Sequence, residues 1–268
     1  MLDYFLRFWI YIFDRLILYP LLKHFSRKVG THFLNLGYWP TTTFNDNRII
    51  KTVESILEGE KDPKLPHYYL YEKALSLHHA YPLFSGHSIF EVGCGQGEGI
   101  EWIKRAHPGI KKIEGLDPIP QNHPLIYKGS ADKIPIADSS MDLVLNIESS
   151  HLYKNCQNFF SESMRILKSG GYICWADLRY KEQIEAVKEQ AVRAGLIEQK
   201  WLDITPNVLQ GIPRTTVYYD NVIDQAPLLI KLFKSSLRTT YCAPGTKTHA
   251  KFVNGTKGYY CALWQKPI

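Results

Sequence analysis

The sequence predicts an α/β protein built on a mostly parallel sheet, and three observations carry that prediction. From Ser88 onward, short apolar runs alternate with stretches of helical period, the mark of successive strand–helix units. A glycine-rich turn, EVGCGQGEG at residues 91–99, follows the first of those runs and opens the first helix. The composition, 45% hydrophobic and 22% charged over 268 residues, is enough to build a packed core and leaves no case for wholesale disorder.

Residues 88–92 are read as the first strand and 99–106 as the helix after it, stopped by His107-Pro108-Gly109. Strands two, three and four are placed at 112–116, 125–128 and 142–146. Residues 158–167 are helical, with Phe159, Phe160, Met164 and Leu167 at helical spacing, and Lys168-Ser169-Gly170-Gly171 is expected to close that helix. The fifth strand is placed at 172–176 and an amphipathic helix at 181–194, ending at Gly195. Residues 197–204 and 258–265 give the last two strands, read as an antiparallel pair at one edge. The helical period of 208–240 suits an inserted helical cap at about 208–250. The domain reading is therefore a helical N-terminal extension or lid over 1–85 and a sheet domain over 86–268.

The formal charge of +6 favours anionic surfaces in general. Its basic residues are read as interspersed with acids, so no nucleic-acid partner is expected. Five cysteines stand without CxxC pairs or nearby histidines, which suggests neither a metal site nor a disulfide framework, and a cytoplasmic setting. The first 25 residues are very apolar, but Arg7, Asp14 and Arg15 interrupt them below the ~18–20 apolar residues a spanning helix needs. They also lack the pattern of a secretory signal. As a helix they would carry a narrow stripe of Asp3, Arg7 and Asp14 on an otherwise apolar surface. Two readings stay open for that surface: a hydrophobic lid on the chain's own domain, or peripheral contact with a membrane interface.

In the glycine turn, Gly93, Gly95 and Gly97 let the backbone turn tightly and approach a ligand, and the helix behind them offers free N–H groups. A dinucleotide site is the obvious rival for such a turn. Two residues favour S-adenosylmethionine instead. Glu91 stands just before the glycines, where it would repel a pyrophosphate but tolerate an ammonium or a sulfonium. Asp117 closes the second strand about 20 residues on, where a carboxylate can hold a ribose diol.

The turn resembles motif I of class I S-adenosylmethionine-dependent methyltransferases, and six further segments, one upstream and five downstream, extend the resemblance over residues 33–266. Residues 127–135 (YKGSADKIP) resemble the family's adenine-contacting "GDAxxLP" segment, with Ser130 in place of the usual Asp and Ala131 offering its backbone. Residues 139–144 (SSMDLV) resemble the entry into the fourth strand, and 166–171 (ILKSGG) resemble "xLKPGG". Residues 146–153 (NIESSHLY) are similar to the "NxESxHxY" form of small-molecule O-methyltransferases, among them phthiotriolone-type lipid and natural-product glycoside or polyketide enzymes. Residues 33–39 (FLNLGYW) and 201–208 (WLDITPNV) resemble further segments of that group.

The resemblance implies a Rossmann-like, seven-stranded class I methyltransferase sheet and S-adenosylmethionine as methyl donor. It assigns the cofactor to Glu91, Gly93, Gly95, Gly97, Asp117, Ser130, Ala131, Asn146 and Glu148, although Glu148 is equally read as capping the turn after the fourth strand. It implies that His151 removes an alcohol proton and that Asp177, after the fifth strand, orients it. The chemistry asks for such a pair, because a hydroxyl proton must leave as the oxygen attacks, and neutral histidine is poised for this near neutral pH. The expected acceptor is a hydrophobic small molecule of lipid or secondary metabolism. N- or C-methylation, or a catalytically silent membrane-associated binding protein, are the alternatives. Tyr38 and Trp39 are read either as closing over the cofactor or as core.

Overall fold

A computed structural model of the chain describes residues 33–268 except 34, 42 and 120–122. The apolar helix expected over 1–25, with its Asp3-Arg7-Asp14 stripe, lies outside the described residues.

Seven strands form one sheet in the order β3-β2-β1-β4-β5-β7-β6. They are β1 (Ser88–Val92), β2 (Lys112–Asp117), β3 (Ile126–Lys128), β4 (Met141–Ile147), β5 (Leu167–Tyr180), β6 (Ile197–Asp203) and β7 (Lys257–Gln265). The first five pair in parallel, while β7 inserts antiparallel between β5 and β6. The expected antiparallel pair at one edge is therefore present, and the sheet is the Rossmann-like arrangement of class I methyltransferases.

Strand alternation explains the layering. Side chains on successive residues point to opposite faces. Ile89, Leu143, Leu145, Cys174, Ala176, Cys261 and Leu263 join one apolar cluster, whereas Phe90, Val92, Val144, Ile173, Trp175, Ala262 and Trp264 join the other. Both faces are covered, so the central strands read in sequence as continuous apolar runs. The first cluster is closed by helices α1 (Phe44–Leu57), α2 (Leu65–Leu75) and α3 (Glu98–Ala106), and the second by α4 (Cys156–Ile166) and α5 (Ile184–Arg193). The side chains of α1 and α2 thus share a core with the sheet.

The cap starts slightly earlier than expected. Helix α6 (Thr205–Asp224) is followed by α7 (Leu228–Lys231), α8 (Lys234–Thr240) and α9 (Lys247–Val253). One boundary is corrected outright. Helix α4 stops at Ile166, and Lys168-Ser169-Gly170-Gly171 belongs to β5 rather than to a helix end. The reason lies in the pairing: β4 holds both Leu167 opposite Met141 and Tyr172 opposite Leu143, with the intervening residues an irregularity in the ladder, and Gly170 N–H donates to Pro267 O while Gly171 O accepts from Lys266 N–H.

Candidate functional site

Strand β1 has β2 on one side and β4 on the other, so the chain's crossovers diverge there and leave a crevice at the strands' carboxyl ends. Two groups of residues converge on it.

The first group is the glycine turn. Gly93 N–H and Cys94 N–H both donate to Leu116 O, at 2.8 and 3.1 Å, which ties the turn to β2. Gly93 has φ +78°, and a Cβ there would meet Ser149 Oγ at 2.3 Å, so no side chain fits. Gly95 is also left-handed at φ +56°, but a Cβ built on it meets nothing within 4 Å. Open space at a turn this tightly held is room for a ligand. Gly97, φ +91°, caps the amino end of α3. Asp117 accepts from Gly95 N–H and Ile119 N–H, both at 2.9 Å, so it braces the turn as well as facing the crevice edge.

Glu91 is fully buried and accepts from Tyr71 O–H at 2.7 Å through Oε1, while Oε2 has no partner. Burial raises its pKa to about 7; Tyr71 opposes that rise and Asp117 adds to it. Asn146 is buried too. Its amide NH₂ donates to Val92 O at 2.8 Å and to Ser149 Oγ at 2.7 Å, and its Oδ1 has no partner. Two orphaned buried acceptors beside an open glycine turn fit a cationic amino-acid ligand and disfavour a pyrophosphate. Ser130 and Ala131 sit across the edge, after β3. Ser130 Oγ donates to Asp132 Oδ2 at 3.1 Å, and Ala131 packs into the second cluster, so neither touches the catalytic pair.

The second group follows β4. Glu148 takes a left-handed conformation (φ +47°) while its N–H donates to Ala176 O at 2.7 Å. This turns the chain into a short 3-10 turn, Ser150–Leu152, that lies against β5. Asp177 Oδ1 then accepts from His151 Nδ1 at 2.7 Å and Oδ2 from the His151 backbone N–H at 2.8 Å. Ser150 Oγ donates to the same carboxylate at 2.6 Å, Leu178 N–H donates at 2.8 Å, and an Arg179 guanidinium nitrogen stands 3.0 Å away. Burial alone would raise the pKa of Asp177, yet Arg179 and then His151 hold it below the usual carboxylate range. An ionised carboxylate only accepts. Nδ1 therefore carries the proton, and Nε2 is left as the basic nitrogen. For His151 itself, burial alone would lower the pKa, but Asp177 and then Glu148 keep it above 6.5.

Asp177 is not beyond the end of β5 as the sequence suggested. It pairs with Tyr260 within the strand, one residue past the last residue that β4 partners. Ser150 and Arg179 were missed. Ser150 Oγ accepts N–H bonds from Trp175 and Arg179, at 2.8 and 2.7 Å, and donates its own hydrogen bond to Asp177. The available signal was the alternation Trp175, Asp177, Arg179, which puts all three on one face of β5.

Glu148 holds distant segments together. Its Oε2 accepts from Leu36 N–H at 2.7 Å and Tyr259 O–H at 2.8 Å, so it ties the segment around residues 35–39 and β7 to the end of β4. Burial raises its pKa to about 7, while the nearby His151 charge pulls the other way. Tyr38 is core, 1% exposed, and donates to Asp46 at 2.9 Å; Trp39 packs edge-on against Tyr69. A cavity of about 170 Å³ opens beside the pair, lined by His151, Tyr153, Lys154, Arg179, Gln183 and Gln190. It is too small for a drug-sized molecule, which needs roughly 300 Å³ or more, but has room for water.

Residues 90–175 match the family model described as "Methyltransferase domain". A phthiotriol/phenolphthiotriol dimycocerosates methyltransferase of Mycobacterium leprae is 29% identical over 222 residues, 77% of this chain and 76% of that protein. A fatty-acid O-methyltransferase of Mycolicibacterium smegmatis is 29% identical over 157 residues, 54% of this chain and 57% of that one. Among solved structures, the geranyl diphosphate C-methyltransferase of Streptomyces coelicolor, held with S-adenosyl-L-homocysteine, superposes with a TM-score of 0.55 at 15% identity, covering 90% of this chain and 92% of that one. At that identity the likeness is one of fold.

Proposed function

We propose that this chain, whose residues 90–175 match a methyltransferase domain, moves a methyl group from S-adenosylmethionine to a hydroxyl of a lipid-like molecule, with His151 as general base. The single observation behind the reading is the His151–Asp177 contact, which leaves Nε2 as the basic nitrogen. The names of its relatives, a methyltransferase of phthiotriol lipids and one of fatty acids, support an acceptor of lipid character. So does Leu152, which is 76% exposed and follows His151 directly.

Glu91, Asn146, Asp117 and the Gly95 backbone are the groups that would hold the donor. Bound S-adenosylmethionine supplies a methyl carbon made electrophilic by its sulfonium, and transfer leaves a neutral thioether. His151 Nε2 takes the hydroxyl proton as the acceptor oxygen forms its bond to that carbon. The positive charge lost at sulfur is thus regained on the imidazolium, where the fixed Asp177 carboxylate stabilises it. Ser150 and Arg179 keep that carboxylate ionised and oriented. The cavity beside His151, with room for several waters, offers the proton a way to solvent.

A fatty-acid carboxylate, already ionised near neutral pH, would need no base. The built pair therefore favours an alcohol, and it equally disfavours simple N-methylation, where positioning suffices. Residues 1–25, outside the described part, keep the proposed role of drawing or covering an apolar acceptor. The test is mass-spectrometric: the chain, incubated with S-adenosylmethionine and lipid extracts, should yield methyl ethers. Methyl esters alone, or no methylated product, would remove the reading.

A further inference from the structure

The charge of this chain is not evenly spread. From Gln225 to the last residue there are seven Lys and Arg and no Asp or Glu, so the interspersed pattern read from the whole sequence breaks down there. The cap helices, residues 205–253, hold six of the chain's basic residues against two aspartates. Both aspartates are engaged within the cap, Asp224 by Lys234 at 2.6 Å and Asp220 by Arg238. Lys231 and Lys247 are exposed, and the ion pairs among the described residues leave each without a carboxylate.

The cap is also apolar where a water-facing element should not be. Leu228 and Leu232 are 74% and 71% exposed. They stand four residues apart at α7 and its end, so they share one helical face, with Lys231 beside them. Ile230 between them points inward, 2% exposed. A polar cavity of about 380 Å³ lies on the α8–α9 side, lined by Ser235, Arg238, Thr239, Gly245, Thr246 and Lys247. Lys247 and the Ser235 hydroxyl, beside an Arg238 already paired with Asp220, suit a phosphate-bearing headgroup in such a space.

We propose that the cap is a docking surface for an anionic lipid bilayer. Leu228 and Leu232 enter the interface, Lys231 and Lys247 meet the acidic headgroups, and the cavity takes one phosphate. Exposed leucines do nothing for a nucleic-acid backbone, which decides between the two polyanions a basic patch could meet. The cap also packs against the strand that leads to the candidate site: Cys242, buried between α8 and α9, and Val208 and Ile212 of α6 share the apolar cluster of Leu145 and Ile147 in β4. Docking here would bring the site next to the phase in which a lipid acceptor dissolves, and the inference stands whatever the acceptor is.

The test is sedimentation of the full chain with phosphatidylcholine vesicles, with and without phosphatidylglycerol. Binding should require the anionic lipid and weaken as salt is raised. Leu228→Ser/Leu232→Ser and Lys231→Gln/Lys247→Gln should each weaken it about tenfold. All four side chains are exposed, so both double variants should melt like the parent by circular dichroism. Unchanged binding by both variants would locate any membrane contact elsewhere and overturn the proposal. Equal binding to neutral vesicles would overturn it as well. So would affinity for a DNA duplex that the lysine variant loses and the leucine variant keeps.

Discussion

Asp177 holds His151 at two points, taking its ring Nδ1–H on one carboxylate oxygen and its backbone N–H on the other, at 2.7 and 2.8 Å. The double contact fixes the ring's tautomer as well as its place. Asp177→Asn would keep the size but lose the charge and offer an NH₂ where an acceptor is needed. Turnover should fall by about 10²–10⁴-fold with affinity for S-adenosylhomocysteine nearly intact. Because Asp177 raises the pKa of His151, the acid limb of the parent's pH–rate profile should lie above 6.5 and move lower in the variant. A limb that stays in place would argue that it does not report His151.

Arg179 should move the same limb the other way. It lowers the pKa of both Asp177 and His151, so Arg179→Met should shift the limb to higher pH. It also strands a fully buried carboxylate, a loss of about 3–5 kcal/mol of stability when such a pair is broken. Arg179→Lys, which restores the charge, should recover most of the stability in urea titrations. A methionine variant as stable as the parent would mean that Arg179 is not the counter-charge.

Glu91 links cofactor binding to pH. It titrates at about 7 in the folded chain against 4.5 for an ordinary glutamate. The folded state therefore holds this proton more tightly, and Glu91 costs the free protein stability as pH rises from about 4.5 through 7. An ammonium beside Oε2 favours the ionised form, so binding of S-adenosylhomocysteine should release a proton and weaken as pH falls below about 7. Calorimetry in two buffers of different ionisation heat measures that release. Glu91→Gln should abolish it, and a parent chain whose affinity is flat across this range would contradict the assignment.

Gly93 and Gly95 should fail differently. A Cβ on Gly93 collides with Ser149, so Gly93→Ala should destabilise the fold. Gly95→Ala meets open space, and its left-handed φ should cost only ~1 kcal/mol while the new methyl fills ligand room. Thermal melts set beside cofactor titrations separate the two outcomes. Gly95→Ala binding as tightly as the parent would remove the turn from the cofactor site.

The strands were legible because both faces of the sheet are covered, which turns β1, β4 and the middle of β5 into plain apolar runs. The glycine turn was legible because glycine takes the left-handed angles found at Gly93, Gly95 and Gly97 with least strain. His151 and Asp177 were found through the resemblance, and the geometry brings them together. What local pattern cannot carry is pairing between distant strands. The reach of β5 through Lys168–Gly171 depends on Met141 of β4 and on Lys266 and Pro267, nearly 100 residues later, and Glu148 is engaged by Leu36 and Tyr259 from opposite ends of the chain. Ser150 and Arg179 escaped notice because each matters only through the other and through Asp177.

The account rests on His151 as the base, and the most direct test is the turnover of His151→Ala on a hydroxyl acceptor under saturating S-adenosylmethionine. The account predicts a fall of about 10²–10⁴-fold in kcat, with cofactor affinity and melting temperature close to the parent's. A variant that turns over like the parent would contradict it, and would hand the reaction to an acceptor that needs no base.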